Sequence, residues 1–386
     1  MDKKKILDNI LLVIIALFSI EYVSFGEVFS VFRVLIFPLS FLGLIIINPS
    51  VGKGQSGFYI IVVLGLLANL LSAANSDDFQ IGFLNAVGIF MFIFFLLNYF
   101  TKYGFSKKIL KTLALFSIPQ YIAFLLWIFL DFDNFANQNG RFHGLHIDPN
   151  FMCMYINAAL VAKLNYIKLF KPRQTYIYIL FIVLDLALIT FSQSRLGILS
   201  AVLCLITYCF FFQRKKFYIL LGSAVFLFTY LKNRMDNLGF SRNFNILDAV
   251  LYRFKDEDPS GNSIENARLT HLQNFLDLVD KGQSNIVGFS LENYLNLHGQ
   301  YPHNLVVDIF LEQGLVVGSI FVIYIIVLII SGLLNSLKNK IQSVFFQIAL
   351  ISLSSSLLLT SYKQKFFWFV LVLLFLSTKK IRFHAR

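Results

Sequence analysis

Long apolar runs recur along almost the whole chain, at residues 6–20, 28–47, 57–74, 79–100, 109–130, 149–166, 174–193, 196–212, 217–231, 305–334, 342–361 and 364–378. A helix that crosses a bilayer needs roughly 20 mostly apolar residues, because each residue advances the axis by about 1.5 Å through a ~30 Å hydrocarbon layer. Only helices satisfy every backbone donor and acceptor within one such segment. The expected fold is therefore all-α and polytopic, with about twelve transmembrane helices. Only 14% of the 386 residues are charged, against about 25% in soluble domains, which argues against a water-soluble enzyme. Cys153, Cys204 and Cys209 all fall inside apolar runs. They read as small packing residues, not a disulfide or metal framework. The opening MDKKK and its apolar run look like a signal sequence, but no small-residue cleavage site follows, so a retained first helix is expected.

The exception to this pattern is residues 232–303, which are long, polar and mixed in charge. The expected organisation is nine transmembrane helices in 1–231, one large outer loop at 232–303, and a short interfacial helix plus three more spans in 304–386. An even number of spans puts both termini on one side. The segments on that side include Lys3, Lys4, Lys5, Lys102, Lys107, Lys108, Lys163, Lys168, Lys171, Lys338, Lys340 and Lys379. They hold 21 of the 33 basic residues, opposed only by Asp2 and Asp8. The positive-inside rule makes that side cytoplasmic. The net charge of +12 is then a topology signal, and no nucleic-acid partner is expected. His143, His146, His271, His298 and His303, five of the six histidines, lie on the outer side, where any chemistry should be.

Several outer positions could carry that chemistry. The apolar run from 305 to 334 is too long for one crossing, and Gly314 offers a break. That leaves a short outer helix from about 305 to 313. Asn304 is a suitable N-cap for it. His303 then stands at the positive end of a helix, which favours a neutral imidazole able to take a proton. Asp308 and Glu312 are four residues apart and share a face. An interfacial helix with a Gly314/Gly318 packing face accounts for the same residues without chemistry. In GRFHGLHIDPN, Asp148 and Pro149 read as an N-cap and first helical residue, preceded by Arg141, His143 and His146. Two histidines without further partners are a weak metal signal. Arg195, in SQSRLG, sits at an outer boundary between spans. It either snorkels to the headgroups or clamps phosphate through its planar guanidinium. Residues 264–280 read as an amphipathic helix with Leu269, Leu272, Leu276 and Val279 as its apolar stripe, flanked by Arg268 and His271. Asp185 lies near the middle of a span, where it must be paired.

Four of these segments together resemble the bacterial O-antigen polymerase and O-antigen ligase superfamily. They are RFHGLHIDPN (141–150), SQSRLGILS (192–200), ENARL (265–269) and HNLVVDIFLEQGLVVG (303–318). The resemblance implies a glycosyltransferase acting on undecaprenyl-pyrophosphate-linked oligosaccharide without a metal or other cofactor. Carried over residue by residue, Arg195 and Arg268 would hold the donor pyrophosphate. His303 would align or deprotonate the acceptor hydroxyl. Arg141, Asn304 and Glu312 would support the pocket. The activity expected is polymerisation of O-antigen or capsule repeat units at the cytoplasmic (inner) membrane, with membrane lipid, a chain-length regulator and a flippase as partners. An O-antigen ligase, which transfers glycan to lipid A core, is the alternative within the fold. A flippase or other secondary transporter is the alternative of another class. It predicts a charged cavity within the spans and two related halves, and the sequence shows no repeat.

Overall fold

The computed structural model describes residues 2–20, 24–25, 29–50, 52, 55–74, 79–130, 135, 141–146, 148–212, 264–282, 286–357, 359, 364–380 and 383–384. It is helical throughout. The helices are α1 (Lys3–Leu17), α2 (Val31–Ile47), α3 (Ser56–Ala74), α4 (Phe79–Tyr103), α5 (Lys107–Leu115), α6 (Ile118–Leu130), α7 (Pro149–Phe170), α8 (Thr175–Phe191), α9 (Arg195–Phe212), α10 (Ile264–Asp280), α11 (Leu291–His298), α12 (Leu305–Ser336), α13 (Lys340–Ser356) and α14 (Lys365–Ser377). Two ladders of two-residue strands join loops: Ser24–Phe25 with Phe29–Ser30, and Phe105–Ser106 with Phe383–His384. The expected span at 217–231 and the first part of the outer loop lie outside the described residues.

Among the described residues, five helical stretches are long and apolar enough to cross a membrane: Ser56–Ala74, Phe83–Tyr103, Lys107–Phe129, Arg195–Phe212 and Leu305–Ser336. Leu35–Ile47, Thr175–Phe191 and Lys365–Ser377 are shorter apolar helices. The surface fits a lipid solvent. Ile60, Leu64, Leu67 and Leu71 form an exposed stripe on α3, as do Ile323, Ile326, Val327 and Ile330 on α12. Water would not tolerate such continuous apolar faces on a monomer.

Two apolar runs are broken, one expected as a single span and one expected to break. The run at 109–130 turns at Phe116–Ser117 between α5 and α6, with Pro119 in the first turn of α6, where its missing N–H costs no helical bond. The run at 305–334 breaks at Gly314, as its length requires. Gly314 has φ 74° and ψ 167°, a conformation reserved in practice to glycine.

The core is centred on α14, every residue of which is buried. At 13 residues it is about 20 Å long, short for a crossing. It is apolar on all sides because protein surrounds it. Helices α7 and α13 are nearly as enclosed. A smaller core on the loop side joins Phe275 and Leu278 of α10, Leu291 and Tyr294 of α11, and Val307 and Leu311 of α12.

Basic segments gather at one end of the bundle. Lys102 donates to the Ile47 carbonyl at 3.0 Å, and Lys107 lies over the Phe170 ring. Gln342 donates to the Lys379 carbonyl at 2.6 Å, and Tyr99 donates to Asp8 at 2.5 Å. Lys163 does not belong with them. It lies two turns inside α7, fully buried, and its Nζ is 2.6 Å from the carboxylate of Asp185. Tyr121 donates to the other Asp185 oxygen at 2.5 Å, and Lys163 also donates to Ser117 at 2.7 Å. The mid-span Asp185 thus has its required partner, and Lys163 carries no information about sidedness.

Candidate active site

Two clusters form at the end of the bundle opposite the basic segments. The first is built where the N-terminal ends of α7 and α9 meet. Asp148 caps α7 by accepting from the Asn150 N–H at 2.7 Å, with Pro149 as the first helical residue. The Asn150 side chain accepts from the Ser194 hydroxyl at 2.6 Å. Ser194 in turn caps α9 by accepting from the Gly197 N–H at 2.9 Å. Ser192 lies 3.0 Å from the Cys153 thiol. Gly197 sits so close to Cys153 that a Cβ there would fall 2.5 Å from its sulfur. The SQSRLG motif therefore has two serines that fix a turn and a glycine that lets α7 and α9 touch. Arg195 is left half-buried as the first residue of α9.

Arg141 reaches the same turn, donating from Nε to the Ser192 carbonyl at 3.1 Å. Its neighbour Phe142 is fully buried between Phe124 and Trp127. The structure thus brings Arg141 and Arg195 to one place, beside two helix N-termini whose dipoles also favour anions. His146 is buried and stacks on Tyr155, ring centroids 4.6 Å apart. Burial, with His143 nearby, lowers its pKa to about 3. Among the described residues no group of three histidine, cysteine or acidic side chains is arranged to hold a metal.

The second cluster surrounds the start of α12. Asn304 caps the helix as expected, accepting from the N–H groups of Val306 at 3.0 Å and Val307 at 3.3 Å. His303 precedes it with a left-handed φ of 49° and an exposed side chain. Glu312 is buried and accepts from the Leu291 N–H at 2.8 Å. Beside it the Leu311 carbonyl accepts from Ser290 N–H at 2.8 Å. Gly314 lies against Ile286, and Gly288 against Leu311 and Glu312, so close that neither leaves room for a Cβ. The Glu-x-Gly element therefore receives the chain at 286–291 and fixes it against the break in α12.

Helix α10 forms as expected but presents a different face. His271, Phe275 and Leu278 point inward, while Leu272 and Leu276 are 42% and 50% exposed. The buried stripe is one residue out of phase with the one read from leucine spacing. Aromatic contact decides the phase, because Phe275 stacks on Phe310. His271 Nδ1 is 2.9 Å from the Tyr294 hydroxyl, and Asn274 is 3.2 Å from His298 Nδ1. Burial lowers the His271 pKa, reinforced by His303 and His298. These histidines are electrostatic neighbours. Arg268 lies on α10 three positions before His271.

The end of α13 links the two clusters. Ser355 lies 2.9 Å from Ser200 of α9, Ser356 is 3.1 Å from Met154 of α7, and the Leu357 carbonyl accepts from the Leu305 N–H at 3.2 Å. Tyr294, Asn150 and Ser194 take part without being singled out in the sequence. Asn150 and Ser194 lie within the recognised motifs, while Tyr294 has no signature beyond an aromatic position in a polar loop.

Residues 180–322 match the O-antigen ligase family model, Wzy_C. The match supports the O-antigen polymerase and ligase superfamily and spans Arg195, Arg268, His303, Asn304 and Glu312. Arg141 lies upstream of it. The family comprises glycosyltransferase-like membrane enzymes, which implies lipid-linked glycan substrates. No curated protein matches the chain.

Proposed function

We propose that this protein is a repeat-unit polymerase that extends undecaprenyl-pyrophosphate-linked glycan on the outer face of the cytoplasmic membrane, using twelve spans with both termini inside. The observation that supports this reading best is the joining of Arg141 and Arg195 at the paired N-termini of α7 and α9. The acceptor hydroxyl oxygen attacks the anomeric carbon of the donor sugar, and the bond from that carbon to the pyrophosphate oxygen breaks. The hydroxyl proton passes to the exposed His303 imidazole, and undecaprenyl pyrophosphate departs. Two guanidiniums neutralise the charge that develops on the leaving group, Arg195 directly and Arg268 from α10, so no divalent metal is required. Arg141 supports the pocket beside Arg195 and adds to its anion-holding charge, the Asn304-capped helix supports it from α12, and Glu312 holds its wall. A chain-length regulator and a flippase act on either side of this step.

The test is the glycan made by a host lacking the gene. A polymerase consumes a lipid-linked repeat unit as acceptor, so its loss leaves one-repeat glycan and no ladder on a polysaccharide gel. His303→Ala should reproduce that pattern, with a loss of about 10²–10⁴-fold in rate. Arg195→Lys keeps the charge but loses the bidentate geometry and should be strongly impaired. Long chains stranded on undecaprenyl pyrophosphate would select the ligase reading instead, and repeat units trapped on the cytoplasmic face would select a flippase.

A further inference from the structure

The turn that carries Arg141 is held from below by one side chain that the chemistry above does not use. Gln120 is buried within α6. Its Oε1 accepts from the Leu145 N–H at 3.0 Å, and its Nε2 donates to the Ser19 carbonyl at 3.1 Å. Gly144 sits over it with φ +58°, and a Cβ there would fall 2.1 Å from Gln120 Oε1. Three separate elements therefore meet on one amide: the 3-10 turn Phe18–Ile20 that follows α1, the first turn of α6, and residues 141–146. An amide is suited to this because it donates and accepts at once. The break at Phe116–Ser117 puts Gln120 there, because α6 starts afresh with its first turn beneath the Arg141 turn.

We infer that Gln120 is a positioning residue for the donor pyrophosphate, acting only through the Arg141 turn. This rests on the reading that Arg141 belongs to the anion-holding cluster. Without the amide, the Leu145 N–H loses its partner, and the glycine turn can shift. Arg141, tied to Ser192 at its other end, then no longer meets the donor in one fixed geometry. Such an effect weakens donor binding while leaving the proton transfer at His303 unchanged.

The experiment uses the full-length protein in membrane vesicles, with undecaprenyl-pyrophosphate-linked glycan of several repeats as the varied donor and the single lipid-linked repeat unit from the gene-deletion host as acceptor, held at saturation. Gln120→Met keeps the length of the side chain and removes both hydrogen bonds. The expected result is a donor KM raised about tenfold, the size of one lost buried hydrogen bond, with kcat at saturating donor little changed. Gly144→Ala presses on the same contact from the other side and should give the same split, which covers the case in which Gln120→Met fails to accumulate. In an Arg141→Ala background, Gln120→Met should have no further effect. An undiminished effect in that background, or a fall in kcat at unchanged KM, overturns the positioning role alone. An unchanged donor KM in Arg141→Ala overturns the anion-holding reading and the inference built on it.

Discussion

Replacing one member of the Lys163–Asp185 pair tests how the bundle accommodates charge. Both side chains are completely buried, with Nζ 2.6 Å from the carboxylate, and Tyr121 and Ser117 complete the group. Lys163→Met leaves a buried carboxylate without its cation, and Asp185→Leu leaves the reverse. Breaking such a pair costs about 3–5 kcal/mol, whereas replacing both members with apolar residues of similar volume is close to neutral. The double variant Lys163→Met/Asp185→Leu should therefore recover most of the loss of either single one, which on these figures is a coupling of about 6 kcal/mol or more. Tyr121→Phe removes one charge-assisted hydrogen bond and should cost roughly 1.5–3 kcal/mol. Thermal unfolding of the detergent-solubilised protein measures all four. Single variants as stable as the wild type, or a double variant as poor as the sum of the singles, would refute the argument that the two charges exist for each other.

Reporter fusions at residues 105, 170 and 338 should read cytoplasmic and one at 255 external, since the first three lie at the end where the basic segments gather; an inverted reading would put the candidate site in the cytoplasm. Gly314→Ala meets both a backbone conformation that only glycine adopts easily and a Cβ placed 2.5 Å from the Ile286 carbonyl oxygen, so it should cost several kcal/mol and expose 286–291 to protease; unchanged cleavage would mean the contact at the break is dispensable. His146 binds a proton near pH 6.5 in the unfolded chain and only near pH 3 when folded. Stability present above pH 6.5 is thus lost as pH falls between those values, by at most about 1.4 kcal/mol per pH unit. His146→Phe keeps the stack on Tyr155 and should flatten that part of the thermal stability profile.

The apolar runs, the Asn304 and Asp148 caps and the Gly314 break were legible because each follows from local rules: span length, a short polar side chain before a helix, and the conformational freedom of glycine. Other features depend on what a residue meets across the bundle. Lys163 reads as a cytoplasmic lysine until Asp185 is found opposite it on the next helix. The leucines of α10 repeat at helical spacing and suggest the wrong phase, because it is Phe275 and Leu278 that find the aromatic and aliphatic partners. Nothing in the sequence around Glu312 points to the Leu291 N–H, 21 residues earlier in the chain, from which its carboxylate accepts. Gln120 carried no sign of its role, since a glutamine after a proline in an apolar run looks like an interruption.

The complete burial of α14 bears on how the protein is made. The innermost helix is the last of the described helices to leave the ribosome, so those before it must enter the bilayer with their central slot unfilled. Until residues 365–377 arrive, the aromatic faces of Phe18, Phe116 and Tyr155, which end against Phe366, are open to lipid or to one another. Assembly of this membrane protein therefore closes from the C-terminal side, and a nascent chain stalled shortly before residue 365 would expose a groove that quality-control proteases and insertion chaperones can distinguish from the finished fold.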